Sequence, residues 1–155
     1  MADLNDILIS LKPRHADRIF GGAKTVELRK RRLNVKPGSR VWIYATTPTA
    51  AIRGYARLDR IEVGTPSQLW KKLGRQTGVS REEFETYFHG CKIAYGLVLA
   101  DVMEMEAVLP LAKIRETIDN FHPPQFYCHL NGARRSMRLS YRKYRPIEKQ
   151  MSLFG

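Results

Sequence analysis

Cysteine, acidic residues and long apolar runs are all scarce in this 155-residue chain. Its two cysteines, Cys91 and Cys128, form no Cys-x-x-Cys pair. That usage fits a reducing compartment and argues against a disulfide framework. The histidines His15, His89 and His122 are scattered, and the neighbours Cys128 and His129 would point to opposite faces of a strand. No metal site is therefore expected, and no cofactor. Nowhere do about 18 apolar residues run together. The segment Met1-Ala2-Asp3-Leu4-Asn5-Asp6 has no basic region leading into an apolar stretch. A soluble, cytoplasmic protein without a membrane partner is the expectation. No internal repeat, Walker-type loop, or Ser-His-Asp or Cys-His arrangement stands out. The shortage of acid matters most, because 15 Asp plus Glu face 27 Lys plus Arg and leave a formal charge of +12. Such an excess favours a polyanion, nucleic acid before an anionic surface.

What is present is organised around Gly21-Gly22-Ala23-Lys24-Thr25-Val26-Glu27-Leu28-Arg29-Lys30-Arg31-Arg32. A glycine turn delivers a lysine and then a strand of period two. Val26 and Leu28 share one face, and Thr25, Glu27 and Arg29 share the other. One apolar and one polar face suggest a packed side and a cleft into which Lys24 can reach. An exposed ladder, with Glu27 pairing weakly with Arg29 or Lys24, is the alternative.

Read as Gly22, Lys24, Glu27 and Arg29, the pattern Gly-x-Lys-x-x-Glu-x-Arg resembles the signature of the ASCH domain, a branch of the PUA-like superfamily. Further segments fall in that family's order. They are Ile7 to Pro13, Trp42 to Pro48, Ile52 to Ala56, Phe84-Glu85-Thr86-Tyr87-Phe88-His89-Gly90, and Pro123-Pro124-Gln125. The resemblance spans about residues 5 to 130 and rests on the order of the segments. It implies an α+β fold, a small PUA-like β-barrel with short helices packed around it.

The chain in order agrees with that expectation. Asp6 to Lys12 reads as an apolar strand ended by Pro13, which opens a helix closed by Gly21-Gly22. Lys36-Pro37-Gly38-Ser39 is a type II turn leading to a buried strand, Val41 to Thr47. Ala50 to Val63 is a strand in which Gly54 marks a bulge or a close backbone approach. Two helical pieces follow, Ser67 to Leu73 and one capped by Ser80 and Glu83, whose Phe84, Tyr87 and Phe88 read as core. A strand from Lys92 to Val108 and a helix from Leu111 to Ile118 come next. Gln125 to Leu130 then forms a hairpin through Asn131-Gly132 with Ala133 to Tyr141. Residues 1–145 read as a single domain and 146–155 as a C-terminal tail.

For function, the leading expectation is binding of nucleic acid, RNA rather than DNA, with an unstacked base in a cleft of Lys24, Thr25, Glu27 and Arg29. Tyr44 would stack or pack, Thr46 and Thr47 would hydrogen-bond, and Arg31, Arg32, Arg134, Arg135 and Arg138 would follow the phosphates. The resemblance also implies a hydrolase alternative. An amidohydrolase acting on an acylated cytidine uses a Lys, Thr and Glu set, but Glu27 holds the threonine position here. A ribonuclease would need a base and an acid, for which Lys24, Glu27 and Tyr44 are the candidates. Finally, Gln150-Met151-Ser152-Leu153-Phe154 is similar to peptides that dock on a bacterial sliding clamp, with Gln150, Leu153 and Phe154 as the anchors.

Overall fold

The computed structural model describes residues 6–130 and the backbone of a two-residue strand, Pro146–Ile147. The chain alternates between long strands and short helices. It runs β1 (Ile7–Leu11), α1 (Pro13–Gly21), β2 (Val26–Arg29), β3 (Arg40–Ala45), β4 (Ala51–Gly64) and α2 (Pro66–Leu73). A 3-10 turn at Gly74–Gln76 leads to α3 (Arg81–Tyr87), β5 (Ala94–Pro110), α4 (Leu111–Thr117), β6 (Tyr127–His129) and β7 (Pro146–Ile147). The strands form one mixed sheet in the order β2-β5-β4-β3-β1-β6, with β7 paired to β5. β1 and β3 run parallel and the other pairs antiparallel. The sheet curls into a half-barrel carrying the four helices, which is the small barrel with packed helices that the sequence predicts.

Three register shifts along the β4–β5 pair supply the curl, because each bulge bends its strand and sharpens the local twist. Gly54 sits at the first. A Cβ there would lie 2.1 Å from the Met103 carbonyl oxygen and 2.8 Å from Phe20 Cε1. Only a bare backbone lets the two strands approach so closely.

The apolar run of β1 is explained by burial on both faces. Ile7 and Ile9 join Val41, Ile43, Leu58 and Leu97 under Ile19 and Phe20 of α1, whereas Leu8 joins Trp42, Tyr44 and Met105 on the other side, beneath Ile114 of α4. A third cluster holds Val26 and Leu28 of β2 against Leu69, Leu73, Phe84 and Phe88, and so fixes α2 and α3 beside β2.

Local signals set the helix ends. Pro13 occupies the first turn of α1, and Gly22 at φ +90° closes it, its N–H donating to the Ile19 carbonyl. Thr65 and Gln68 form a reciprocal capping box that starts α2 just before the predicted Ser67. The Ser80 hydroxyl accepts from the Glu83 N–H at 3.1 Å, which is one half of the capping box its spacing implies, while the Glu83 carboxylate accepts from Arg14 instead of returning to the Ser80 N–H. Pro146 and Ile147, the first residues of the expected tail, pair with Met105 and Glu104 of β5. The predicted hairpin return at Ala133 to Tyr141 lies outside the described residues.

Candidate functional site

β2 lies at one edge of the sheet against β5, with Glu27 opposite Leu97 and Arg29 opposite Tyr95. Its period of two sends Val26 and Leu28 into the third cluster and turns Glu27 and Arg29 the other way. There they form the floor of a cavity of about 640 Å³. β1 and α1 supply one wall, through Ser10, Lys12, Arg14 and His15, and α3 supplies the other, through Glu82, Glu83, Thr86 and Tyr87. Gln125 closes the end.

The floor is a buried ion triad. Lys24, Glu27 and Arg29 expose only 1%, 6% and 7% of their surface, which rules out the exposed ladder. The Glu27 carboxylate bridges two cations, with Oε1 3.4 Å from Lys24 Nζ and Oε2 2.9 Å from Arg29 Nη2. Lys24 also donates to the Thr77 carbonyl at 2.7 Å. Arg29 places Nη1 on the Phe126 carbonyl at 3.1 Å and Nη2 on the Ser10 carbonyl at 3.3 Å, pinning β2 to β1 and to the segment before β6. Two cations and one anion leave the floor with a net positive charge. Burial holds the Lys24 pKa below the usual lysine range, opposed by the neighbouring Glu27 carboxylate.

Lys24 is sealed from behind by the loop after the 3-10 turn. Gly78, at φ +67°, would set a Cβ 2.8 Å from Lys24 Cβ, so only glycine lets this loop lie against the lysine stem. Arg18 Nη1 donates to the Gly78 carbonyl at 2.6 Å, and the Thr77 hydroxyl to the Gly74 carbonyl at 2.7 Å.

Two buried polar atoms in the β1–α1 wall, Ser10 Oγ and His15 Nδ1, have no hydrogen-bond partner among the described residues. Burial, and then repulsion by Lys24, lower the His15 pKa and keep its ring neutral at pH 7. At the mouth, Arg14 of α1 and Glu83 of α3 form an exposed ion pair at 3.1 Å. The Tyr87 hydroxyl donates to the Leu28 carbonyl at 3.2 Å, while Lys30 Nζ stands 4.6 Å from the centre of the Tyr87 ring.

The structure gathers Lys24, Glu27 and Arg29 and, among the described residues, leaves the other predicted site residues outside the cavity lining. Tyr44 is 3% exposed and packs in the second cluster, away from the cavity lining; burial raises its pKa against the opposing charge of Arg115. Thr46 is half-buried and Thr47 exposed in the turn after β3. Thr25 is half-buried, with its backbone bonded to Gln76 and Leu99. Arg31 and Arg32 are exposed just beyond β2. Arg134, Arg135, Arg138, Gln150, Leu153 and Phe154 lie outside the described residues.

Sequence reasoning missed Ser10, His15, Tyr87 and Gln125 as cavity residues, and it assigned Tyr87 to the core. A signal existed for three of them, since Ser10, Tyr87 and Gln125 all fall within segments that carry the family resemblance. Among the described residues no helix is long and apolar enough to cross a membrane, and no group of three or more His, Cys, Asp or Glu is placed to hold a metal ion.

Residues 6–130 match a family model described as a domain of unknown function, DUF365. Over 123 residues the chain is 36% identical to an ASCH domain-containing ribonuclease of Zymomonas mobilis, covering 79% of this chain and 82% of that protein. The crystal structure of ASCH from Zymomonas mobilis superposes with a TM-score of 0.83 at 33% identity, covering 89% of this chain and 96% of that one. Large ribosomal subunit protein uL22 of Ureaplasma parvum is 29% identical over 92 residues, which is 59% of this chain but only 30% of that protein.

Proposed function

This chain belongs to the ASCH domain family, and on that premise we propose that it acts on RNA by taking an unstacked nucleotide of a single strand into the cavity above Lys24, Glu27 and Arg29. One observation carries this reading: the floor of the cavity is a buried triad with a net positive charge, beneath a wall with unpartnered polar atoms. An anionic ligand with hydrogen-bonding edges satisfies both features. Glu27 serves here as the counter-ion that positions Lys24 and Arg29, in place of the expected contact to an exocyclic amine. The exposed Arg31 and Arg32, just beyond the end of β2, follow the phosphates, joined by Arg134, Arg135 and Arg138.

Titration of a fluorescein-labelled single-stranded RNA against salt tests this. Affinity should fall linearly on logarithmic axes, with a slope of about −0.7 per phosphate contact. Lys24→Met, which keeps the buried stem, should weaken binding about tenfold or more, in line with the loss of a charged hydrogen bond. Salt-independent binding, or an unchanged affinity in Lys24→Met, would overturn the assignment.

A second reading, cleavage of the bound strand, is favoured by the relative named as a ribonuclease and by the neutral His15 in the cavity wall. His15 would take the proton from a ribose 2′-hydroxyl as that oxygen attacks phosphorus and the P–O5′ bond breaks, leaving a 2′,3′-cyclic phosphate and a 5′-oxygen that takes a proton from water, with Lys24 offsetting the charge that gathers on the phosphate. Tyr44, buried in its own cluster, takes no part. An amidohydrolase gains less support, because Glu27 stands where its threonine would and is engaged by two cations. Incubation with a structured RNA and with acetylated cytidine, wild type beside His15→Gln, separates the cases. Cleavage of RNA that is lost in the variant selects the nuclease; undiminished cleavage in the variant excludes His15 as the base.

A further inference from the structure

We infer that Tyr87 and Lys30 form a second nucleotide subsite at the cavity mouth, where the base next to the one held inside stacks on the Tyr87 ring and Lys30 moves to the intervening phosphate. The inference rests on the RNA reading of the cavity and extends it from one nucleotide to two.

Tyr87 ends α3 with 37% of its surface exposed, one of the few large hydrophobic side chains that remain uncovered among the described residues. It is nevertheless held in place. Its hydroxyl is tied to the Leu28 carbonyl on β2, the strand that carries Glu27 and Arg29, and its ring meets the Phe88 ring edge-on at 4.7 Å. Phe88 is itself 2% exposed and fixed in the third cluster. An aromatic ring anchored at its polar end and along one edge, and open at a cavity mouth, is a pre-organised stacking surface.

Lys30 occupies that surface in the free protein, its ammonium 4.6 Å from the ring centre. The two occupants compete unequally. An exposed cation–π contact is worth about two- to fivefold in an equilibrium. A base stacked on an aromatic side chain is worth about five- to a hundredfold. A base therefore displaces the ammonium, and the freed cation finds a phosphate within reach of the same strand end. Lys30 follows Arg29 directly, so the phosphate it meets joins the nucleotide over the floor to the one on Tyr87.

The test uses fluorescein-labelled heptanucleotide RNAs in which a single abasic residue is moved along the strand. Wild type should lose affinity at two adjacent positions, one for the cavity and one for Tyr87. Tyr87→Leu should lose about tenfold for the intact strand and become insensitive to the abasic residue at the second position only. Tyr87→Phe, which keeps the ring and loses its anchor on Leu28, should lose less affinity than Tyr87→Leu and stay sensitive at both positions. Lys30→Gln should make the salt slope shallower by about 0.7, one phosphate contact on a single strand. Two sensitive positions persisting in Tyr87→Leu, or an unchanged slope in Lys30→Gln, would overturn the subsite and leave the cavity reading intact. A wild type insensitive at every position would overturn both. If Tyr87→Leu fails to fold, the Lys30→Gln slope decides.

Discussion

Removing the Glu27 charge should unfold this protein more readily than any loss of packing at the same place, because the carboxylate is the common partner of two buried cations. At an effective dielectric of about 20, a separation of 3.4 Å from Lys24 corresponds to a gross attraction of about 5 kcal/mol, and 2.9 Å from Arg29 to about 6 kcal/mol. Desolvation of three ions, each less than a tenth exposed, offsets most of that sum. Removing only the anion leaves the desolvation in place and forfeits the attraction. Glu27→Gln should therefore cost about 3–5 kcal/mol, a large part of a typical stability of about 5–15 kcal/mol. Lys24→Met should behave differently, since it removes a cation whose burial is already unfavourable and leaves the Glu27–Arg29 pair in place. Its cost, chiefly the donor lost by the Thr77 carbonyl, should stay near ~1 kcal/mol. In the Lys24→Met background, Glu27→Gln should cost at least ~1 kcal/mol less than alone, because it then strands one cation instead of two. Urea denaturation followed by the fluorescence of Trp42 and Trp70 measures all three variants. A Glu27→Gln loss below ~1 kcal/mol, or strict additivity in the double variant, would refute the account of the floor as a coupled triad.

Further outcomes follow from the same geometry. His15 has a folded-state pKa below its ordinary value, so the unfolded chain binds more protons between the two values. Its contribution to stability should decline as pH falls from the ordinary histidine value near 6.5 through the lower folded value, and His15→Gln should show a shallower decline than wild type when both are melted from pH 7 to pH 5. Carboxylates common to both proteins cancel in that difference, and equal slopes would contradict the burial of His15. Gly54→Ala should cost about 3 kcal/mol in thermal or urea melts, because its new methyl meets the Met103 backbone carbonyl of the paired strand β5 and the Phe20 ring in the core. A loss under ~1 kcal/mol would mean that β4 and β5 stand further apart at the bulge.

The elements were legible where local chemistry alone decides them. The unbroken apolar run of β1, the proline and glycine around α1 and the Ser80 cap all act within a few residues, and each lies where its signal places it. Partners across the sheet were not legible. β1 pairs in parallel with β3, and the strand between them in sequence, β2, lies at the far edge against β5. Periodicity states which face a strand buries and is silent on which strand covers its edge. The bulges that curl β4 over β5 had a single visible sign, Gly54, and the two later register shifts carry no such residue.

The site divides along the same line. Alternation along β2 places Glu27 and Arg29 together on one face, so their companionship was readable; the depth of that face depends on α3 and the Thr77–Gly78 loop, about fifty residues further on. Tyr87 is the instructive miss. At about 100° per residue it stands some 60° from Phe84 on one side of the helix, and Phe88 stands some 40° away on the other. That puts Tyr87 at the border of the apolar stripe, where a tyrosine can go either inward or outward. Its hydroxyl settles the matter, because a phenol hydroxyl drawn partly out of water needs an acceptor and β2 offers the Leu28 carbonyl. The ring is thereby drawn over the same strand that presents Glu27 and Arg29, and a residue spaced like core becomes part of the rim. A hydrogen bond between residues 59 apart does that work, and no reading of helical spacing contains it.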